Sequence, residues 1–294
     1  MTSPLRPNLP MPVQAAPDRF DRPWQALLTD PLARAWAGQV PPAADQAGLR
    51  DRLTRRVGAA HRAESGLVTV RARQAPRQTV ARGVTVQTMY AAAPLAALRP
   101  GEPLWVALVD LAPGATLQDL VADRGPGLAA MGMHREWLVL AGQVCCDGQP
   151  LAQRDYHLVP AGRGPAHWSS HSGAKLCLRQ SAPAPGDADP PRTVLDAEAG
   201  WPAFAPGIRR RVLWQRGSQA ALLYHAMPGA QVPLHRHGHD EECLMLQGEL
   251  FLDDLLLQAG DDQLAPAGSG HRLTETDTGG VIYAHGDLDL QFQG

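Results

Sequence analysis

The sequence predicts a mainly β protein with two tandem barrels of the jelly-roll type, preceded by a short helical N-terminal segment. From about residue 67 onward, short apolar or alternating runs are separated by Gly, Pro and Asp, which is typical of antiparallel strands in a sandwich or barrel. The second half of this region repeats motifs of the first half in the same order. Before residue 67, apolar residues instead recur at helical spacing.

Length and composition describe an ordinary globular protein. The 294 residues suffice for two modest domains, and 44% are hydrophobic against 19% charged. No window approaches the roughly 18 to 20 apolar residues of a membrane span, and the N-terminus lacks a basic-then-apolar export signal. Because the four cysteines form no C-x-x-C pair, reduced thiols and a cytoplasmic location are expected.

Residues 1–66 are expected to form a disordered start and a helical arm. Apolar side chains recur every three or four positions from Trp24 to Trp36 and again from Leu49 to Val57. Residues 1–82 hold 13 arginines against 6 acidic residues, a charge that suits an acidic partner or nucleic acid. No nucleic-acid motif accompanies it, so a solvated helix face is the simpler explanation and nucleic-acid binding is not expected.

An internal repeat divides the rest of the chain. "HREWLVLAG" at 134–142 matches "DEECLMLQG" at 240–248, and "VPAGRGP" at 159–165 matches "APAGSGH" at 265–271, both with an offset of 106 residues. A long repeat with a constant offset indicates a duplicated β-domain rather than a solenoid. We therefore expect barrels at 67–182 and 201–294, joined by a Pro-, Ala- and Asp-rich linker at 183–200.

A metal site is predicted in the second copy. Side chains at alternate positions of a strand share one face, so His235, His237 and Glu241 can point inward together. His271 follows the "PAGSG" turn and would join them from a neighbouring strand. Three imidazoles and one carboxylate suit a divalent ion with open coordination positions. A metal-free polar network is the alternative, but it would bury a glutamate beside three histidines at high energetic cost.

Other polar residues of the same cluster are expected to play lesser roles. His239, Asp240 and Glu242 are predicted at the rim or the surface. Cys243 and Met245 lie two and four positions after Glu241, so they should point to the same face of the strand and line the cavity beneath the metal. Cys243 is then either a redox-active thiol or a buried small hydrophobe.

The first copy lacks these ligands. At the equivalent positions it carries Ala129 and Met131 for the two spaced histidines, Arg135 for the glutamate and Pro165 for the last histidine. No metal is therefore expected in the first barrel. Its expected role is to pack against the second barrel, in place of the second subunit of a dimer.

The spacing of the second copy resembles the two-part motif of the cupin superfamily. The pattern is G-x5-H-x-H-x3-E-x6-G followed by G-x5-P-x-G-x2-H, and the trailing asparagine of the second part is Glu275 here. The nine matching positions are Gly229, His235, His237, Glu241, Gly248, Gly260, Pro266, Gly268 and His271. With the duplication, the resemblance implies a bicupin built from two double-stranded β-helices.

Longer blocks resemble the ChrR-type cupins, the sensing domains of zinc-dependent anti-sigma factors. These blocks are "RDRLTRRV" with "ESGLVTVRA", then "HRHGHDEECLMLQGELFLDD" and "PAGSGH". The resemblance implies zinc on His235, His237, Glu241 and His271, a response to singlet oxygen and related oxidants, and a sigma-factor partner. The family binds sigma through an N-terminal His-x3-Cys-x2-Cys zinc domain, but this chain has no cysteine before Cys145.

Two functional hypotheses follow, and a purely structural metal is a third. The first is a regulatory, stress-sensing bicupin with zinc in the second barrel and a sigma factor or another regulator as partner. The second is a metal-dependent cupin dioxygenase of the Fe type, or a related enzyme, with a small-molecule ligand in the C-terminal barrel. Fe, Mn and Ni are the alternatives to zinc, because imidazole and carboxylate ligands accept all of them.

Overall fold

A computed structural model describes residues 66–92, 101–118, 132–183 and 189–292. Within these ranges the chain is mainly strand, folded as two curled sheets, which confirms the predicted fold class of tandem barrels. The predicted helical arm before residue 66 lies outside the described residues, as do Ala129 and Met131. No helix in the described part of the chain is long and apolar enough to cross a membrane.

The first sheet has ten strands among the described residues. They are β2 (Arg77–Ala81), β3 (Val84–Ala91), β4 (Pro103–Leu111), β5 (Ala115–Gln118), β6 (His134–Cys146), β7 (Gln149–Ala152), β8 (Tyr156–Val159), β9 (His167–Ser170), β10 (Ala174–Ser181) and β11 (Arg192–Val194). Most of the sheet runs in the order β11-β8-β6-β10-β4-β3-β2, and β5, β7 and β9 complete the curl.

The second sheet has eleven strands in the described part of the chain. They are β1 (Val68–Val70), β12 (Ala203–Ala205), β13 (Ile208–Arg216), β14 (Gln219–Ala226), β15 (Gln231–Arg236), β16 (Glu241–Leu252), β17 (Leu255–Gln258), β18 (Asp262–Ala265), β19 (Gly270–Glu275), β20 (Gly280–Asp287) and β21 (Gln291–Phe292). A four-residue helix, α1 (Asp196–Ala199), precedes β12.

One long strand bends each sheet into a barrel. The first half of β16 pairs with β18 and β20, and its second half pairs with β17 and β19. The bend falls at Gly248, whose φ of 81° favours glycine. A Cβ at this position would lie 2.1 Å from the carbonyl oxygen of Gly279. In the first sheet, Gly142 on β6 approaches the carbonyl oxygen of Gly173 in the same way, again with an offset of 106 residues.

The two repeats exchange their first strands. β1 belongs to the first repeat in sequence, but it pairs with β18 of the second sheet. Reciprocally, β11 pairs with β8 of the first sheet, so part of the predicted linker is a strand. Equivalent carboxylates secure both crossings: Asp261 Oδ1 accepts a hydrogen bond from Ala72 N at 3.0 Å, and Asp155 Oδ1 accepts one from Asp196 N at 2.7 Å.

An apolar core joins the barrels face to face. The first barrel contributes side chains of β3, β4, β6, β8 and β10, and the second contributes side chains of β13, β14, β16 and β20. The buried members of this core are Met89, Val106, Leu108, Leu138, Tyr156, Leu158, Cys177, Leu213, Ala221, Leu223, Leu244, Val281 and Tyr283. Burial of this apolar area is the main force holding the barrels together.

Candidate metal centre

Three elements bring the predicted ligands together inside the second barrel. His235 lies on β15, His237 directly follows it, and Glu241 begins β16. Ligand atoms of these three residues lie within 4.8 Å of one another. His271 lies on β19 directly opposite His235 in the β15–β19 pairing. The barrel closure therefore assembles residues that are up to 36 positions apart in the sequence.

The three imidazoles surround one point and are shielded from solvent. The ring centre of His237 lies 5.2 Å from those of both His235 and His271, and the other two ring centres are 5.7 Å apart. Their exposed fractions are only 2% to 3%. The structure thus brings the ligand atoms of His235, His237 and Glu241 together and places the His271 ring beside them, and ligation of a metal by all four stays a prediction.

The polar atoms of this cluster fit a divalent ion better than a hydrogen-bonded network. His237 Nδ1 lies 2.7 Å from Glu241 Oε2, and the buried Nε2 of His237 has no hydrogen-bond partner among the described residues. Buried polar atoms without partners cost about 1 to 3 kcal/mol each. The donor set therefore fits a divalent cation.

The electrostatics of the cluster favour an ionised carboxylate. Burial alone would raise the pKa of the Glu241 carboxyl, but the imidazoles of His237, His235 and His271 together lower it by more, so the net pKa lies below its usual value. Burial also lowers the pKa of His271. The pKa of His237 is raised, because Glu241 outweighs the effect of burial. A cation entering the site meets a carboxylate, and it must displace any proton held by His237.

A hydrogen bond orients the ring of His235, and a carboxylate lies near the ring of His271. His235 Nδ1 lies 2.9 Å from the carbonyl oxygen of Pro233, which can only accept, so Nδ1 carries the proton and Nε2 is free to bind a metal. His271 Nδ1 lies 3.5 Å from Asp253 Oδ2. Asp253 was missed in the sequence, where a strand end followed by two aspartates signals a turn but not this contact.

Asp253 owes its position to the turn between β16 and β17. Its φ is 55°, a left-handed conformation that Asp tolerates better than most residues, and its Oδ1 accepts a hydrogen bond from Arg272 N at 2.7 Å. Asp147 occupies the equivalent turn of the first barrel and accepts from His167 N at 2.9 Å. The turn is therefore common to both repeats, whereas the histidine contact is found in the second.

Hydrogen bonds to the carboxylates of Asp287 and Asp240 fix the loop that precedes Glu241. Asp287 Oδ2 accepts hydrogen bonds from Gly238 N at 2.5 Å and from His239 N at 3.4 Å, and Asp240 Oδ1 accepts from Ala267 N at 2.7 Å. The His239 side chain is 38% exposed and its Nε2 lies 2.9 Å from Ser218 Oγ. This places His239 at the rim, outside the ring of predicted ligands.

The prediction that Glu242 lies at the rim or surface is wrong. Its exposed fraction is 1%, and its Oε2 accepts a hydrogen bond at 3.0 Å from Nε of Arg179, a residue of the first barrel. Strand alternation correctly turns Glu242 away from Glu241. That outer face of β16 is covered by the other barrel instead of by solvent, which the local sequence does not reveal.

A largely apolar cavity of about 70 Å³ adjoins the predicted ligands. His235, Glu241 and His271 line it, so positions around an ion would face the cavity. Its apolar walls include Phe204, Ile208, Val232, Leu250, Leu252 and Ile282. Cys243 also lines it, and burial raises the pKa of the thiol well above its usual value. The thiol is therefore protonated at neutral pH, which favours the packing role over the redox role.

In the first barrel, an arginine fills the place of the glutamate ligand. Arg135 is 8% exposed, and its Nη2 donates hydrogen bonds of 3.0 Å to the carbonyl oxygens of Arg163 and Gly164. These carbonyls belong to the turn that precedes Pro165, the residue equivalent to His271. A guanidinium thus ties together the two segments that would supply ligands in the second barrel.

Comparison with known proteins agrees with this geometry. Residues 191–291 match the family of ChrR cupin-like domains. The second barrel is therefore similar to ChrR cupin-like domains. No curated protein sequence matches the chain at a significant level. The match covers the second barrel with all four predicted ligands, and it begins within the predicted linker at the strand that crosses to the first barrel.

Solved structures resemble both barrels of the chain in fold. A proposed dioxygenase from Nostoc punctiforme PCC 73102 is 14% identical, with a TM-score of 0.59 over 78% of this chain and 87% of that chain. The oxalate decarboxylase of Lactobacillus farciminis, in complex with formate, is 14% identical, with a TM-score of 0.53 over 76% and 87%. The pirin YhhW of Escherichia coli, in complex with nickel(II), is 11% identical, with a TM-score of 0.54 over 75% and 99%. At these identities the likeness shows the bicupin fold alone.

Proposed function

We propose that this protein is a regulatory, metal-binding bicupin of the ChrR type, with one divalent ion in the second barrel. His235, His237, Glu241 and His271 would hold the ion. The observation that carries the proposal is the convergence of the ligand atoms of His235, His237 and Glu241, with the buried His271 ring beside them, in a ChrR-type domain. Zinc is the proposed ion, because the family resemblance points to it.

The residues around the site suit the recognition of a small apolar molecule. The carbonyl oxygen of Pro233 orients His235, and the Asp253 carboxylate lies 3.5 Å from Nδ1 of His271. The adjoining cavity is largely apolar, with Tyr224, Thr274 and Thr276 as further polar lining residues. A divalent ion there supplies a Lewis acid and a template for one polar group of a bound molecule. An oxidant or its apolar product would thus reach the ligands directly, as sensing requires.

Metal content tests this proposal. We expect protein purified without added metal to carry about one divalent ion per chain, and elemental analysis measures it. Zinc held through dialysis supports the regulatory form of the proposal. Protein that carries no metal and takes up none from a Zn²⁺ titration contradicts it.

The proposed partner is a sigma factor or another regulator in the cytoplasm. The ChrR-type second barrel supports a regulatory partner, whereas the family's zinc-bearing sigma-binding domain has no counterpart in the sequence. Affinity purification of the full chain from cell extract, followed by mass spectrometry, tests it. Recovery of an identified sigma factor or transcriptional regulator is expected. Its absence under both metal-loaded and oxidant-treated conditions contradicts the partner.

A metal-dependent small-molecule enzyme of the cupin dioxygenase type is the second candidate. The observation that favours it is that three of the four predicted ligands line the cavity, so a substrate could reach the ion. Glu241 would then also serve as a base. Stoichiometric iron together with oxygen uptake on a panel of β-diketones and polyphenols would support the enzyme. Tightly held zinc without turnover would exclude it.

A further inference from the structure

The outer face of the metal-site strand is tied to the first barrel by one buried arginine. Arg179 lies on β10, and its side chain is only 2% exposed. Its three guanidinium nitrogens each donate to a different acceptor: Nε to Glu242 Oε2 at 3.0 Å, Nη1 to Glu136 Oε1 at 2.9 Å, and Nη2 to the carbonyl oxygen of Gly101 at 2.7 Å. Because all three nitrogens of the planar guanidinium donate hydrogen bonds, the group is held in one orientation.

This contact acts on the residue next to a predicted ligand. Glu241 is bonded to one neighbouring strand, through Ala265 of β18. Glu242 is the first residue of β16 that pairs with strands on both sides, Leu264 of β18 and His285 of β20. Side chains of these two glutamates point to opposite faces of the strand. Fixing Glu242 from outside therefore fixes where the Glu241 carboxylate points inside.

Stability alone is a weak explanation for such a group. Removing two carboxylates and a guanidinium from water is expensive, and apolar replacements of buried ion pairs are often neutral or stabilising. Buried ionic groups are best attested as devices that select one register or geometry. The acceptors here lie on the ends of strands from both barrels, so the geometry that is selected is the placement of one barrel against the other.

The same interface contains a matched counterpart. With the repeat offset of 106 residues, Glu136 is equivalent to Glu242 and Arg179 is equivalent to His285. His285 Nε2 lies 3.4 Å from Glu136 Oε1, so each glutamate contacts the equivalent residue of the opposite barrel. The difference lies in the neighbours, because Glu242 follows the predicted ligand Glu241, whereas Glu136 follows Arg135.

We propose that Arg179 of the metal-free first barrel is a positioning residue for the metal site, acting through Glu242 to hold Glu241 in its ligating geometry. The inference rests on the proposed metal-binding function. The first barrel would then do more than pack against the second barrel, because its Arg179 would help to position a metal ligand there. Loss of such positioning contacts typically weakens metal binding about 10- to 100-fold.

Cobalt(II) titration of the full chain tests the proposal, because the visible absorption of bound Co²⁺ reports coordination geometry as well as affinity. We expect Arg179→Met and Glu242→Gln each to weaken Co²⁺ binding about 10- to 100-fold and to change the spectrum. The double variant should lose little more than either single variant, since both remove one interaction. Glu136→Gln removes an equivalent carboxylate from the same arginine and should stay within about threefold of the wild type.

Thermal unfolding of the metal-free proteins shows whether a variant is folded, so that a loss of metal affinity can be distinguished from a loss of folding. All variants are expected to lose some stability, and Arg179→Lys, which keeps the charge but not the planar guanidinium, replaces Arg179→Met if the latter does not fold. Wild-type affinity and spectrum in Arg179→Met or Arg179→Lys would overturn the proposal, as would an equal loss in Glu136→Gln. A wild-type protein that binds no Co²⁺ or Zn²⁺ would instead overturn the proposed function, and this inference with it.

Discussion

His235 and His271 are paired across β15 and β19, and both imidazoles are buried. We expect His235→Ala and His271→Ala each to reduce the metal content from about one ion per chain to near zero, because each removes one of four ligands. Elemental analysis after dialysis measures this. His239→Ala is the matched control, since this residue lies at the rim, and it should retain the metal. Retention by both ligand variants would refute the site assignment.

Glu136 is the residue whose ionisation matters most for acid stability. Burial alone would raise the pKa of its carboxyl, but His285 and Arg179 lower it by more, so the folded-state pKa lies well below the ordinary value of 4.5. Tyr156 and Tyr283 hydroxyls also donate to it, at 2.7 and 3.3 Å. A carboxyl with a depressed folded pKa adds stability above its unfolded pKa, and this stability is lost as the pH falls toward the folded value.

Glu136→Gln should therefore destabilise the protein in a pH-dependent way. At pH 7 we expect a loss of about 3 kcal/mol, because the variant leaves part of the Arg179 charge uncompensated. The difference from the wild type should shrink as the pH falls below about 4.5, where the unfolded carboxyl takes up its proton. Denaturant unfolding of metal-free protein at pH 7, 5 and 4 measures it. A difference that is constant with pH would contradict the ionised buried carboxylate.

Among the structural elements, β16 requires glycine at its bend, Gly248. Gly248 combines a φ of 81° with an approach to backbone atoms of Gly279 and Gly280 that leaves no room for a Cβ. Gly248→Ala should cost about 3 kcal/mol or more, through backbone strain and overpacking. Gly217→Ala is the matched control: it has a φ of 57° but no atom within 4 Å of a Cβ, so about 1 kcal/mol is expected. Equal losses in denaturant unfolding would contradict this explanation.

Sequence patterns predicted the long strands but missed a short one. The blocks "EWLVLAGQV" and "ECLMLQGELFL" predicted strands from short apolar runs, and they form parts of β6 and β16. The repeat offset of 106 also reappears in the structure, in the paired glycines Gly142 and Gly248. The linker was predicted from composition alone, and its strand β11 was missed because three residues carry too little periodicity to be recognised.

For the whole molecule, strand exchange makes each barrel depend on the other. The second barrel takes β1 from the first repeat and buries one face in the shared apolar core. A fragment of residues 201–294 should therefore not persist as a monomer, but should associate or precipitate through the uncovered face. Size-exclusion chromatography with light scattering measures this, with the full chain as reference. A monomeric fragment that unfolds at the temperature of the full chain would contradict the mutual dependence.

The sequence by itself determined the β architecture, the duplication and the four predicted ligands. Spacing along one strand and turn residues at fixed intervals are local properties, and strand alternation converts them directly into a shared face. The absence of ligands at equivalent positions of the first copy is also readable from the alignment of the repeats.

Only the tertiary structure decided what lies on the other side of those strands. The burial of Glu242 on Arg179, 63 residues away, the approach of Asp253 to His271, and the exchange of β1 and β11 all depend on contacts between distant segments. A strand's alternation specifies which residues turn outward, but not whether water or a second barrel covers them. That choice is made by the burial of the apolar faces that the two barrels share.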